Sequence, residues 1–144
     1  MIAAPKKNNE ITEANDQISS NHLKLIDATI ETIAERGLAD TTIAHVAKKA
    51  GVSQGYANFK FKSKENLLLS SLQYLSDEYK SSWQSIFEEK NLDPIDRILR
   101  ILDNDFSEKI ANRNKISVWM AFYSEVKFRP SYLNICQHQD EIYS

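Results

Sequence analysis

Thr42–Phe61, TIAHVAKKAGVSQGYANFKF, followed at once by the SKENLL of residues 63–68, decides the fold of this chain. Ile43, Val46, Ala47 and Ala50 are apolar at the spacings that line one face of a helix. Gly51 stands where a left-handed residue would close that helix. Ser53 then stands where a hydroxyl would open the next one. Two short helices joined by a tight glycine turn predict a helix-turn-helix, whose second helix is the natural reader of a DNA major groove. Charge agrees. Residues 41–64 hold five lysines and no acid, on a chain whose formal net charge is −2. A local basic patch on an acidic protein is the footprint of phosphate contact.

Within the predicted reading helix, about Ser53 to Lys60, Gln54 and Asn58 share a face, with Tyr56, Phe59 and Lys60 beside it. Gln can bond an adenine edge in two places, Lys can reach guanine, and Tyr56 or Phe59 can touch a thymine methyl. Gly55 lets the start of the helix lie close to the duplex. Ala57 is expected to face the scaffold, and Phe59 is assigned to neither core nor groove. Thr42 is the expected cap of the preceding helix, whose positive end can hold a phosphate.

Three runs, LIDATIETIAERG (25–37), TTIAHVAKKAGVSQG (41–55) and FKSKENLL (61–68), resemble in order and content the TetR family of bacterial transcription regulators. The resemblance covers Leu25 to Leu69. One departure is Asn58, where many members carry Tyr. Residues 116–133, ISVWMAFYSEVKFRPSYL, are similar to the betaine-regulator (BetI-like) branch. The resemblance implies an all-α protein. A three-helix DNA-binding domain (20–66) follows a flexible arm (1–19) and precedes a partial helical effector-binding and dimerisation domain (67–144). It implies that Phe61 plugs the head and that Lys64 contacts phosphate. It also implies that the long helix after Ser63 links head to body. The partners implied are double-stranded DNA, a small-molecule effector and, if the chain is complete, a second copy.

Around this centre the chain reads as helices. The first is expected from Ser20 or Asn21 to Arg36, with Leu23, Ile26, Ile30 and Ile33 as its apolar stripe. Another runs from Lys64 to about Lys90. Asp93-Pro94 predicts the cap and first residue of the next, with Ile95, Ile98, Leu99, Leu102, Phe106 and Ile110 as its stripe. A helix from about Lys115 to Lys127 presents Trp119, Phe122, Tyr123 and Val126 on one face, and a last helix begins near Ser131. Tyr79, Trp83, Phe87, Phe106, Trp119, Phe122 and Tyr123 can wall an apolar pocket able to hold a cation. As single residues they read first as ordinary helical core.

Three glycines and three prolines in 144 residues favour helices over sheet. Cys136 is the only cysteine, which excludes an internal disulfide framework and suits a reducing cytoplasm. No stretch approaches the ~18 apolar residues of a membrane span. His22 and His45 read as surface histidines. Asp103 with Asp105 reads as a solvated helix face, and Cys136 with His138 is too few ligands for zinc. No residue set points to a cofactor, a metal or an enzyme. The final QHQDEIYS reads as helix interior, so the chain is expected to be a fragment or a short form. The function expected is a repressor that binds a palindromic operator as a dimer and is released by a small molecule. The alternative is a truncated regulator working as a protein-interaction module without effector control.

Overall fold

The structure, a computed structural model, describes the backbone of residues 6–140 and the side chains of residues 19–137. Eight α-helices follow one another: α1 (Lys6–Arg36), α2 (Ile43–Ala50), α3 (Gln54–Phe61), α4 (Lys64–Glu88), α5 (Pro94–Asp105), α6 (Glu108–Ala111), α7 (Arg113–Glu125) and α8 (Pro130–Asp140). A 3-10 turn, Val126–Phe128, joins the last two, and the described residues contain no strand.

α1 begins at Lys6, which corrects the start expected near Ser20 or Asn21. The backbone of 6–19, read as an arm, is already helical, and no Gly or Pro interrupts the sequence from Lys6 to Arg36. Residues 1–5 of the expected arm lie outside the described residues. Of the expected apolar stripe, Ile26, Ile30 and Ile33 are buried and Leu23 alone is corrected. Leu23 is 42% exposed, whereas Leu25, Ile26, Ala28, Ile30 and Ile33 are buried. The buried arc is wide because α1 packs against α2, α4 and α7 together. Two threonines deepen it. Thr29 and Thr32 are fully buried, and their hydroxyls donate to the carbonyls of Leu25 and Ala28, both at 2.6 Å. A buried hydroxyl satisfied within its own helix carries little of the desolvation penalty it would otherwise impose.

One hydrophobic cluster runs from α1 to α8. Leu25, Val46, Ala57 and Phe61 belong to it, and so do Leu72, Val118, Phe122, Tyr132 and Cys136. Phe122 meets Tyr132 edge-on, ring centroids 5.1 Å apart. α4 forms the shared wall, burying Leu67, Leu68, Leu72 and Leu75 along its first half.

α5 behaves otherwise. Asp93 caps it as expected, accepting from the Ile95 N–H at 2.8 Å. The helix is held, however, by its charged side. Arg97 donates to the carbonyls of Ile86, Phe87 and Glu89 at 3.1, 2.9 and 3.0 Å, satisfying orphan groups at the end of α4. Arg100 pairs with Glu89 at 2.6 Å. Ile95, Ile98, Leu99, Leu102 and Phe106 are all exposed, so the expected stripe exists as a periodicity but covers nothing. It also stops short. α5 ends at Asp105, and Ile110 lies buried on the separate short α6.

Candidate nucleic-acid interface and effector cleft

The turn is built by local chemistry. Thr42 is extended and its Oγ1 accepts from the His45 N–H at 3.1 Å. Gly51, at φ 70°, closes α2, and the Val52 N–H reaches back to the Ala47 carbonyl at 3.1 Å. Ser53 then opens α3, its Oγ accepting from the Tyr56 N–H at 3.1 Å. Ala57 and Phe61 are buried beneath α3. Gln54, Gly55, Asn58, Phe59 and Lys60 are exposed, and Phe59 is 80% so.

Tyr56 is corrected as a groove residue. Its ring packs against the core, and its hydroxyl is buried with no hydrogen-bond partner among the described residues. The five lysines also divide. Lys49 is bound to Glu35 at 2.7 Å and Glu31 at 3.7 Å, on the far side of the turn. Lys64 donates to the Ala39 carbonyl at 2.7 Å, tying the start of α4 to the α1–α2 loop. An ammonium has three donors, so two remain. Lys48, Lys60 and Lys62 are exposed and make no ion pair among the described residues.

His22, expected at the surface, is half-buried. Its ring stacks on Phe61 at 5.5 Å, and its Nδ1 is buried without a partner among the described residues. His45 is half-buried, its Nδ1 3.3 Å from the Asp40 carbonyl. Burial first, and the charge of Lys60 second, hold His22 below the usual histidine value of 6.5. The unfolded chain therefore takes up a proton that the folded one resists. Stability is full above the unfolded value and falls as pH drops through it. The unfolding midpoint in urea is expected to fall between pH 7.5 and 5.5, and a His22→Gln variant to lose less over that interval. Equal losses in the two proteins would assign the acid sensitivity elsewhere.

The aromatic set does not converge as a whole. Phe122 is fully buried in the core, and Phe106 is 82% exposed. Phe87 is exposed too, stacked on Trp83 at 5.8 Å, with the Arg97 guanidinium 6.0 Å from its ring. Tyr79, Trp119 and Tyr123 do meet, walling an open cleft of about 300 Å³ with Ile110, Ala111, Ile116 and Asp105. Asp105 was missed in the sequence, where it looked solvated beside Asp103. Its carboxylate is half-buried, accepting from Trp83 Nε1 at 2.8 Å and from the Tyr79 hydroxyl at 3.5 Å. No periodicity signals such a placement, because the partners lie 22 and 26 residues away.

Residues 25–70 match the family described as bacterial regulatory proteins, tetR family. The chain belongs to the TetR family. Among curated relatives, this TetR-family chain is 31% identical over 118 residues to the HTH-type transcriptional regulator BetI of Stenotrophomonas maltophilia, covering 82% of the chain and 60% of the relative. It is 33% identical over 127 residues to BetI 1 of Chromohalobacter salexigens, covering 80% and 63%. It thus spans less than two thirds of the length of these relatives. In fold it is similar to a TetR-family transcription regulator from Marinobacter aquaeolei VT8 (TM-score 0.75, 20% identity, 88% of this chain and 64% of that one). It is also similar to a transcriptional regulator from Saccharomonospora viridis solved in complex with choline (TM-score 0.71, 19% identity, 87% and 65%). Among the described residues no helix of this TetR-family chain is long and apolar enough to cross a membrane.

Proposed function

We propose that this chain is a transcription regulator that reads operator DNA with α3, acting as a repressor on a palindrome through two copies. The division is a reading head over residues 20–66 and an effector-binding body over 67–144. The carrying observation is the split of α3 into two sides. Ala57 and Phe61 lock it into the core, while Gln54, Asn58, Phe59 and Lys60 stand free. A rigid helix with a polar, uncommitted face is what direct base readout requires. Lys48, Lys60 and Lys62 supply positive charge beside it, and the capped N-terminus of α2 at Thr42 supplies N–H groups for a phosphate. The effector is a small cation held by Tyr79, Trp119 and Tyr123 over the Asp105 carboxylate. The choline bound by the Saccharomonospora viridis regulator is of that chemical class.

The test is sedimentation of the chain with genomic DNA fragments at low and moderate salt, then binding to the fragments retained. A dimer that keeps a subset of fragments as salt rises is expected. Gln54→Ala should lower discrimination at one or two base pairs by about 1–3 kcal/mol. Lys64→Ala should weaken all sequences alike and flatten the salt dependence. Two variants that bind as the parent does would remove α3 and the start of α4 from the interface. The exposed stripe of α5 favours a second reading, a module that works through another protein. A monomer that releases all DNA at moderate salt would favour it.

A further inference from the structure

Phe59 is the one large apolar side chain on the free face of α3, and the fold makes no use of it. It is 80% exposed, and its ring has no aromatic or cationic partner among the described residues. Side chains on a helix lean towards its N-terminus, onto the residue one turn back. One turn back from Phe59 stands Gly55, which has no side chain, and the space where its Cβ would lie is open, with nothing within 4 Å. The ring therefore stands uncovered on the outward side of α3, the helix that meets base edges in a helix-turn-helix. Phenylalanine has no polar atom, so it cannot bond a phosphate or a base edge. The apolar feature of the major groove is the thymine 5-methyl group.

Resting on the reading of α3 as the DNA-reading helix, we infer that Phe59 selects a thymine in each half-site by contact with its 5-methyl group. Tyr56, the other aromatic of the helix, cannot serve, since its ring is packed inward and its hydroxyl is buried. Specificity is then divided along one face. Gln54 and Asn58 read hydrogen-bonding edges, and Phe59 reads a methyl.

The experiment uses sites enriched by the whole chain from a random duplex library. Each thymine of the enriched site is replaced singly by deoxyuridine, which removes the methyl and leaves the pairing intact. One position per half-site is expected at which the parent loses about fourfold in affinity, the worth of one buried methyl-sized group. Phe59→Ala should bind the thymine site more weakly and be indifferent to deoxyuridine there, while Phe59→Leu keeps part of the discrimination. Because Phe59 is exposed, both variants should keep the parent's thermal midpoint. Sites that enrich but tolerate deoxyuridine equally in parent and Phe59→Ala would overturn the inference and leave the regulator reading standing. Failure of any site to enrich would overturn both.

Discussion

Phe61→Ala is expected to lower the stability of the chain by about 3–5 kcal/mol, read as a fall in the urea midpoint at constant slope. Phe61 is only 5% exposed and ends α3. Its ring is clamped between the shared core and the stacked His22 ring. Truncation leaves a cavity between the core cluster and the His22 ring of α1, and the chain just beyond it has little freedom to collapse. Lys62, the next residue, holds φ 66°, a left-handed conformation that non-glycine residues rarely adopt. Its N–H is fixed to the Asn58 carbonyl at 2.8 Å, and Ser63 immediately caps α4. The cavity should therefore stay largely open. Phe59→Ala, two residues earlier on the outward side, is the control and should move the midpoint by less than about 0.5 kcal/mol. A small effect at Phe61 would mean that α3 is not anchored through its last turn.

Lys115→Met is the second large effect, about 3 kcal/mol at neutral pH. Lys115 bridges α7 to Glu78 of α4 at 2.6 Å, with the two side chains only 14% and 15% exposed, and it also donates to the Lys109 carbonyl. Asp27 of α1 feels the same ammonium. Burial raises Asp27 above the usual aspartate value, Lys115 draws it down, and Glu31 and Glu78 push it up again. Removing the cation leaves Glu78 without its partner and takes away the pull that lowers Asp27, so the Asp27 carboxyl titrates still further above its unfolded value in the folded chain. Such groups favour folding when protonated, and that favour is lost as pH rises through their folded values. The deficit of Lys115→Met should therefore be larger at pH 7.5 than at pH 5. Adding Glu78→Gln should restore part of the stability at neutral pH. A double variant as unstable as the sum of the two single changes would show that packing, not charge, sets the loss.

What was legible in the sequence is what local chemistry decides. Thr42, Gly51, Ser53, Ser63 and Asp93 each do at a helix end what their residue type permits, because a cap needs only its nearest neighbours. Ala57 and Phe61 fell on the buried side of α3, and the TetR-type order of motifs gave the all-α plan. What failed depends on partners remote in sequence. Periodicity groups Ile95, Ile98, Leu99, Leu102 and Phe106 on one face of α5, but it does not say whether anything covers that face. Tyr56 and Phe59 are equally aromatic, and only the position of α1 and the core decides which turns inward. Asp105 and His22 looked solvated because their neighbours, Trp83 and Phe61, are far along the chain. The lysine count overstated the basic surface for the same reason, since Glu31 and Glu35 of α1 claim Lys49.

α5 buries no residue of its own and is fastened by polar and charged side chains, Arg97 and Arg100 in its first half and Asp105 at its end. A helix held by charge rather than by apolar burial gives up little shielded surface when it opens, so its opening exposes little to denaturant and carries little heat capacity. The chain is thus graded in its protection. Amides of residues 25–33 in α1 and of the first half of α4 are expected to exchange with solvent only through global unfolding, and those of α5 through a local opening of far lower free energy, which native-state hydrogen exchange checks. High salt, which weakens the Arg100–Glu89 pair and leaves the core untouched, widens that difference.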